Sequence, residues 1–414
     1  MSRLLRSLGP YSMLILSITV LWGAENNSPS IAVNGCFVQD STASLTKLPK
    51  LAIMLSVPWA TSSTAEQSAH NRQVPGSNPG WPTTSLPMPR PHISAIIPAW
   101  SAPYYLPACL AALAAQLAPT DELILVDNGS NGKVAGWAKQ FAPTARLLIL
   151  PQNLGFAGGT NAGLRAAQGE WLLLCNDDAL VEPGCVAALA QTLALAPEIG
   201  MVAGVLAFSR QPQQIASAGI QVQRDGVAND LYWGQSIASL PPEPTEIFGA
   251  SGGLALLRRT LIEDIGLFEE RFFCYLEDVD LAWRARLRGW RTFLAPNARA
   301  RHVCSASGGA RTSPFKQNLL ALNRWRVLLR CLPTPLFRSC LPTILRYETL
   351  AFAYAGLTRQ PAIAAGRLAV SREIPLLLHQ RKAIQARRTA SIAALERWLR
   401  PASFPLQALL NSER

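Results

Sequence analysis

With 414 residues, 49% of them apolar and 15% charged, the chain is long and apolar enough for one large or two ordinary cores, which excludes an intrinsically disordered protein. Its eight cysteines form no C-x-x-C pair and no metal-finger spacing, so reduced thiols in a cytoplasmic compartment are expected. The net charge of +12 is confined to the end of the chain: residues 315–414 hold 16 Lys/Arg against 4 Asp/Glu, and residues 1–314 hold 22 of each. Because that tail is also rich in Leu, Ala and Ile, its charge points to an anionic membrane surface as partner and away from nucleic acid.

Residues 1–87 differ in pattern from the rest of the chain. Arg3 and Arg6 before the apolar run Met13–Trp22 imitate a signal peptide, but no sustained period comes after them. Back-translated with permitted codons, Val74–Gly80 reads GTC CCG GGT TCG AAT CCC GGG, a transfer-RNA T-arm, and Ser68–Arg72 reads TCG GCT CAT AAC CGA, an anticodon stem-loop displaying CAT. The expectation is a reading frame that runs through a methionine transfer-RNA gene, with the protein itself starting at or near Met88. The competing reading is a Pro/Gly/Ser linker behind a targeting segment.

From His92 the pattern becomes regular. HISAIIP (92–98), ELILVD (122–127), RLLIL (146–150), WLLLC (171–175) and MVAGVLAF (201–208) read as buried strands. Between them Tyr104–Leu117, Lys133–Phe141, Gly158–Ala167 and Pro183–Leu195 read as helices. Such alternation predicts an α/β domain, residues 88–310, with a Rossmann-like, mostly parallel sheet covered on both faces. Ligands on such a sheet bind at the C-terminal ends of strands.

Those ends are polar here: Asp127-Asn128-Gly129-Ser130 follows the second strand, Asn153 to Asn161 the third, and Asn176-Asp177-Asp178 the fourth. Each cluster alone makes an ordinary turn. Together they point to one crevice for a phosphate-bearing nucleotide, with glycines admitting close backbone approach and carboxylates for a ribose or a hard divalent cation, Mg2+ or Mn2+. The chain lacks a G-x-x-x-x-G-K-[ST] loop, which argues against phosphoryl transfer from ATP.

Farther on, FEERFFCYLEDVDLAWRARLR (268–288) packs Glu277, Asp278 and Asp280 where an apolar run gives way to helical periodicity. The free N–H groups of a helix N-terminus keep carboxylates ionised, and an ionised carboxylate on a rigid element can remove a proton from a hydroxyl. The plainer reading is an acidic first turn that merely supports its helix. Gly252 and Gly253 are expected to permit tight backbone approach to substrate. After Gly309, basic amphipathic stretches around Leu319–Leu332, Ile344–Tyr354 and Ile374–Leu399 define a helical tail, residues 311–414. It has no run of about 18 uncharged apolar residues, so it should lie on a membrane and not cross one.

In order, IIPAW, LVDNGS, NLGFAGGTNAGL, LLLCNDDA, and SGGLALLRR followed by FEERFFCYLEDVDLAWR resemble the motifs of the family 2 glycosyltransferases with the GT-A fold. The likeness is to the bacterial rhamnosyltransferase-like branch that builds cell-surface polysaccharides, and it covers roughly residues 92–330. It implies an inverting transferase, on the inner face of a bacterial cytoplasmic membrane, moving a sugar from a nucleoside-diphosphate donor such as dTDP-rhamnose to a polyprenyl-linked or polysaccharide acceptor.

Carried over position by position, the resemblance implies a donor site of Pro98, Asp127, Asn153, Gly158, Asn161, Asp177, Gly252 and Gly253, with Asp127 on the nucleoside. Asp178 and His302 would be metal ligands, and Asp278 the base, arranged for geometry more than for an unusual pKa. Glu277, Trp283 and Arg284 would face the acceptor, the last two unless they are plain helix packing. The branch usually has Asn-Pro-Asp where Asn176-Asp177-Asp178 stands, which leaves the metal ligand open between Asp177 and Asp178. It more often carries Tyr-Asn near Trp100. Other donors (galactofuranose, glucose, GlcNAc) and a catalytically silent nucleotide-sugar-binding scaffold are the alternatives; the joint presence of Asp127, Asp178 and Asp278 speaks against the scaffold.

Overall fold

The computed structural model describes residues 90–101, 104–303 and 313–402, together with the backbone of 19–22 and 29–32. The transfer-RNA reading of residues 1–87 and the start at Met88 fall on residues outside this set. The chain divides into two units, 1–83 and 84–414. In the first, Thr19–Trp22 and Pro29–Ala32 pair antiparallel.

The second unit is built on β1 (Ile93–Ala99), whose apolar run is buried on both faces because helices cover the sheet on either side. In chain order come α1 (Leu106–Ala114), β2 (Glu122–Asn128), α2 (Lys133–Phe141), β3 (Arg146–Leu150), α3 (Gly155–Ala166) and β4 (Trp171–Cys175). β1 pairs in parallel with both β2 and β4, and β2 with β3, as alternating strand and helix require. These elements match the expected segments to within two or three residues at each end, α1 being shorter than expected at both ends and α3 beginning three residues earlier.

Beyond β4 the sheet becomes mixed. β5 (Ala179–Val181), α4 (Cys185–Ala194), β6 (Ile199–Phe208), β7 (Gln211–Ser217), β8 (Ile220–Gln223), β9 (Ala228–Asp230) and β10 (Thr245–Glu246) precede β11 (Leu254–Arg258), which is antiparallel to both β4 and β6. Next come α5 (Arg259–Ile265), α6 (Glu277–Leu287) and β12 (Arg291–His302), a strand parallel to β6 with a register break between Leu294 and Arg299. Pattern reading missed β5 and β7–β11. Most are short, several are polar, and β11 continues a glycine motif, so none presents a bounded apolar run.

The tail consists of α7 (Pro314–Cys331), α8 (Thr334–Leu357), α9 (Pro361–Ala369), α10 (Ile374–Ala386), α11 (Ile392–Glu396) and β13 (Leu399–Arg400). α7 starts where Ser313 Oγ accepts from Lys316 N at 3.2 Å with Pro314 at the first helical position, a capped start. β13 adds in parallel to β8, so residues 399–400 return to the part of the chain that precedes the tail. No described helix is long and apolar enough to cross a membrane.

One expectation is corrected here. Arg324, Arg326 and Arg330, read as the basic face of a membrane helix, are buried and turned toward the sheet domain. Arg324 pairs with Glu348, Arg326 with Glu373, and Arg330 with Glu269 at 2.8 Å and Asp280 at 3.3 Å. Arg381 donates to Leu329 O and Thr334 Oγ1, and Arg387 pairs with Asp264. Much of the tail's charge thus answers carboxylates of the same chain. Removing one partner of such a buried pair strands the other, at roughly 3–5 kcal/mol.

Candidate active site

α6 starts at Glu277, which puts Glu277, Asp278 and Asp280 in its first turn as the sequence indicates. The residues leading into it are strained. Phe273, Tyr275 and Leu276 have φ of 60°, 69° and 66°, a region costing residues with a Cβ on the order of 1–3 kcal/mol each, and one that clusters at functional sites. A tail residue holds this turn in place: Asn323 of α7, fully buried, sets its Nδ2 3.0, 3.0 and 2.8 Å from the carbonyl oxygens of Phe272, Cys274 and Tyr275. Sequence reasoning missed Asn323 because a polar residue in an amphipathic helix looks like surface.

The same turn explains the glycine-rich motif. Ala157 N donates to Phe273 O at 3.0 Å, and a Cβ on Gly155 would stand 2.2 Å from that oxygen. Gly155 therefore lets α3 abut the acidic turn through a close approach to protein backbone. Gly158 likewise leaves room for Leu154, whose Cβ would lie 2.5 Å away.

Asp278 is fixed by two backbone donors, Gly252 N to Oδ2 at 3.1 Å and Val279 N to Oδ1 at 2.8 Å. Its expected ordinary pKa is corrected: burial raises it to about 6, the charge of Asp230 adds to this, and the two N–H donors offset only part. Glu277 is pushed well up by burial and by the charge of Asp278, and its Oε2 has no hydrogen-bond partner among the described residues. With its carboxyl at about 6, Asp278 is ionised near neutral pH. Asp280 behaves oppositely; burial is overcome by Arg330 and Arg284, which hold its carboxyl low.

The next residue, Gly253, leads to the second acidic group. Asn176 N donates to Gly253 O at 3.0 Å. Asn176 Nδ2 is 3.2 Å from His302 Nε2, and that nitrogen is 2.9 Å from Asp178 Oδ1. The pairing of β12 with β5, which sets His302 opposite Ala179, brings the two ligand candidates together from 124 positions apart in the sequence. Asp177 stands beside them, its carboxyl raised to about 7 by burial and by the charge of Asp178, against a hydrogen bond from the Trp100 backbone.

Two buried carboxylates side by side with one imidazole have the donor chemistry of a hard divalent cation, which would relieve the repulsion that raises Asp177. Among the described residues no three His, Cys, Asp or Glu converge on one point. The donor set fits a Mg2+-type site, in which one or two protein ligands leave the remaining positions to water and phosphate oxygens.

The remaining candidates separate. Asp127, at the end of β2 and fully buried, accepts from Ser130 N at 2.7 Å through Oδ1, and its Oδ2 has no partner among the described residues. Pro98, near the end of β1, packs by Gly159 of α3. Asn153 Oδ1 accepts from Gly155 N at 2.8 Å and so fixes the entry to α3. Asn161 is corrected from donor contact to anchor: its amide clamps Phe268 N and O at 3.0 and 2.9 Å. Trp283 and Arg284 leave the acceptor side. Trp283 is buried against Phe248, and Arg284 is spent on Asp280 and on the carbonyls of Ile265, Gly266 and Leu267.

Residues 94–266 match the family model described as Glycosyl transferase family 2. N-acetylglucosaminyl-diphospho-decaprenol L-rhamnosyltransferase of Mycobacterium tuberculosis is 28% identical over 208 residues, 45% of this chain and 68% of that protein. O-antigen biosynthesis protein RfbC of Myxococcus xanthus is 29% identical over 281 residues, 66% of this chain but 21% of that protein. Among solved structures, GalNAc-T7 with UDP, GalNAc and Mn2+ superposes with a TM-score of 0.52 at 13% identity, covering 70% of this chain and 58% of that one. At that identity the likeness speaks for the GT-A fold alone.

Proposed function

Residues 94–266 form a family 2 glycosyltransferase domain, and from that premise we propose that this chain is an inverting transferase that moves a sugar, L-rhamnose by analogy with its relatives, from a nucleoside diphosphate to a polyprenyl-linked acceptor. The observation that carries the reading is the linkage through Gly252 and Gly253. One holds the Asp278 carboxylate and the other holds the strand end that bears Asp178 and meets His302. A base and a diphosphate-binding group are thereby set on one rigid frame.

Asp278 takes the proton of the acceptor hydroxyl while the oxygen attacks the anomeric carbon. The bond to the diphosphate oxygen breaks on the opposite face, inverting configuration. Asp127 holds the nucleoside through its unpartnered Oδ2. Asp178 and His302, with Asp177 beside them, would hold Mg2+ or Mn2+, which when bound supplies neutralisation of the departing diphosphate. The direct test is transfer from dTDP-rhamnose to a short-chain polyprenyl diphosphate sugar, with the product's anomeric configuration read by NMR; retention would overturn the mechanism.

Activity is expected to disappear in excess chelator and return with Mg2+ or Mn2+. Asp178→Ala and His302→Ala should each raise the metal concentration for half-maximal rate by about tenfold or more, as loss of a ligand or its support does. Undiminished transfer in chelator would remove the metal from this account.

The tail offers a membrane-facing surface different from the one its composition suggested. On α8, Leu345, Phe352 and Leu357 are exposed, and so are Arg338 and Arg346. Each basic residue near an anionic leaflet contributes roughly 1 kcal/mol. Arg338→Glu with Arg346→Glu should therefore weaken binding to phosphatidylglycerol-containing vesicles at least tenfold and flatten its salt dependence. Wild-type binding that persists unchanged at 1 M salt, a concentration where screening is nearly complete, would show that charge is not what holds the tail.

A further inference from the structure

The stretch between β7 and β10 carries none of the motifs, yet two of its residues relate to the site. β9 ends in Asp230, near enough to Asp278 for its charge to act on that carboxyl. Just beyond, Leu231 N donates to Gly219 O at 2.8 Å and Leu231 O accepts from Ala218 N at 3.0 Å, which pins the strand end. Tyr232 then turns in the left-handed region, φ 60°, and sends Trp233 against Phe208, with ring centroids 4.8 Å apart and planes at 89°.

Phe208 is the register partner of His302 across β6 and β12, so both side chains leave the sheet on the same face. Four residues, Asp230 to Trp233, thus reach from beside the base to beside the histidine of the Asp178 pair. Trp233 remains 38% exposed although Phe208 braces it. A braced, part-exposed indole with a carboxylate three positions away is suited to a sugar: the ring receives an apolar C–H face, and the carboxylate accepts from a hydroxyl. Asp230 and Asp278 together would repel a sugar that carries its own carboxylate.

We propose that Asp230 and Trp233 form the subsite for the acceptor's terminal sugar, and that this sugar is an uncharged pyranoside. Trp233 packs on its apolar face, and Asp230 accepts a hydrogen bond from a hydroxyl beside the one that reacts. The proposal rests on the glycosyl-transfer reading and adds to it the class of acceptor.

Saturation-transfer NMR on the full chain, without donor, tests it with octyl β-N-acetylglucosaminide and octyl β-glucuronide as probes. The neutral glycoside should bind the wild type, and its dissociation constant should rise about tenfold in Trp233→Ala, the scale of one lost aromatic contact. Trp233→Phe should recover most of that loss. The glucuronide should bind more weakly than the neutral probe by about fivefold or more, and Asp230→Asn should narrow that gap by relieving repulsion. Failure of the wild type to bind the neutral probe, equal binding by Trp233→Ala, or preference for the glucuronide would overturn the proposal. Because no donor is present, absence of transfer from dTDP-rhamnose would sink the glycosyl-transfer reading separately.

Discussion

Replacing Asp278 by asparagine is expected to lower turnover by about a hundredfold to ten-thousandfold, the range for loss of a general base, while donor affinity stays nearly constant. The amide keeps the shape and can still accept from Gly252 N through its oxygen, but it cannot take a proton. The pH profile supplies an independent check. A carboxyl raised to about 6 by burial must be ionised to act as base, so the wild-type rate should fall about tenfold per unit as pH drops below that value and level off above it. Asp278→Asn should abolish that acid limb. Equal losses of turnover and donor affinity, measured in the same preparation, would show that Asp278 supports the site and does not act in the reaction.

Asn323→Leu is expected to lower turnover by about a hundredfold, the scale of a 1 Å misplacement of a reacting group. No atom of Asn323 needs to touch substrate for this. Its amide holds three carbonyls of a turn in which Phe273, Tyr275 and Leu276 are left-handed. Without it those carbonyls lose the two N–H donors they share, at roughly 1–3 kcal/mol per lost hydrogen bond, and the turn has reason to relax. Since the effect passes through Asp278, the Asn323→Leu change should cost far less in an Asp278→Asn background. Losses that simply multiply in the double variant would place Asn323 outside the site's support. A thermal melt shows whether the fold survives.

Pattern and motif already contain the parallel half of the sheet. β1 to β4 and their helices are legible because each strand is a bounded apolar run and each helix has its own period. The polar clusters that end the strands are legible for a related reason: a ligand at the carboxyl edge of a parallel sheet must be met by the residues that follow each strand. Asp127 and Asp178 are legible as candidates this way, Asp278 from the acidic start of its helix, and His302 from the family resemblance.

What only the tertiary structure decided is which polar residues face one another. The tail's arginines read as a basic face because composition records charge but not the partner; Glu348, Glu373, Glu269 and Asp280 supply those partners from distant positions. Arg284 and Trp283 share the acidic motif with Asp278, yet helical rotation turns them into the core. Asn323 and Trp233 belong to no motif, and their roles arise from a tail helix crossing a strained turn and from a short strand pair folding back toward the base. The pKa of Asp278 is likewise a property of the assembled site: a helix N-terminus alone favours an ionised carboxylate, but burial and the nearby charge of Asp230 outweigh it. Local pattern determines which elements form; desolvation and long-range pairing, which exist only once the chain has closed on itself, determine what their side chains can do.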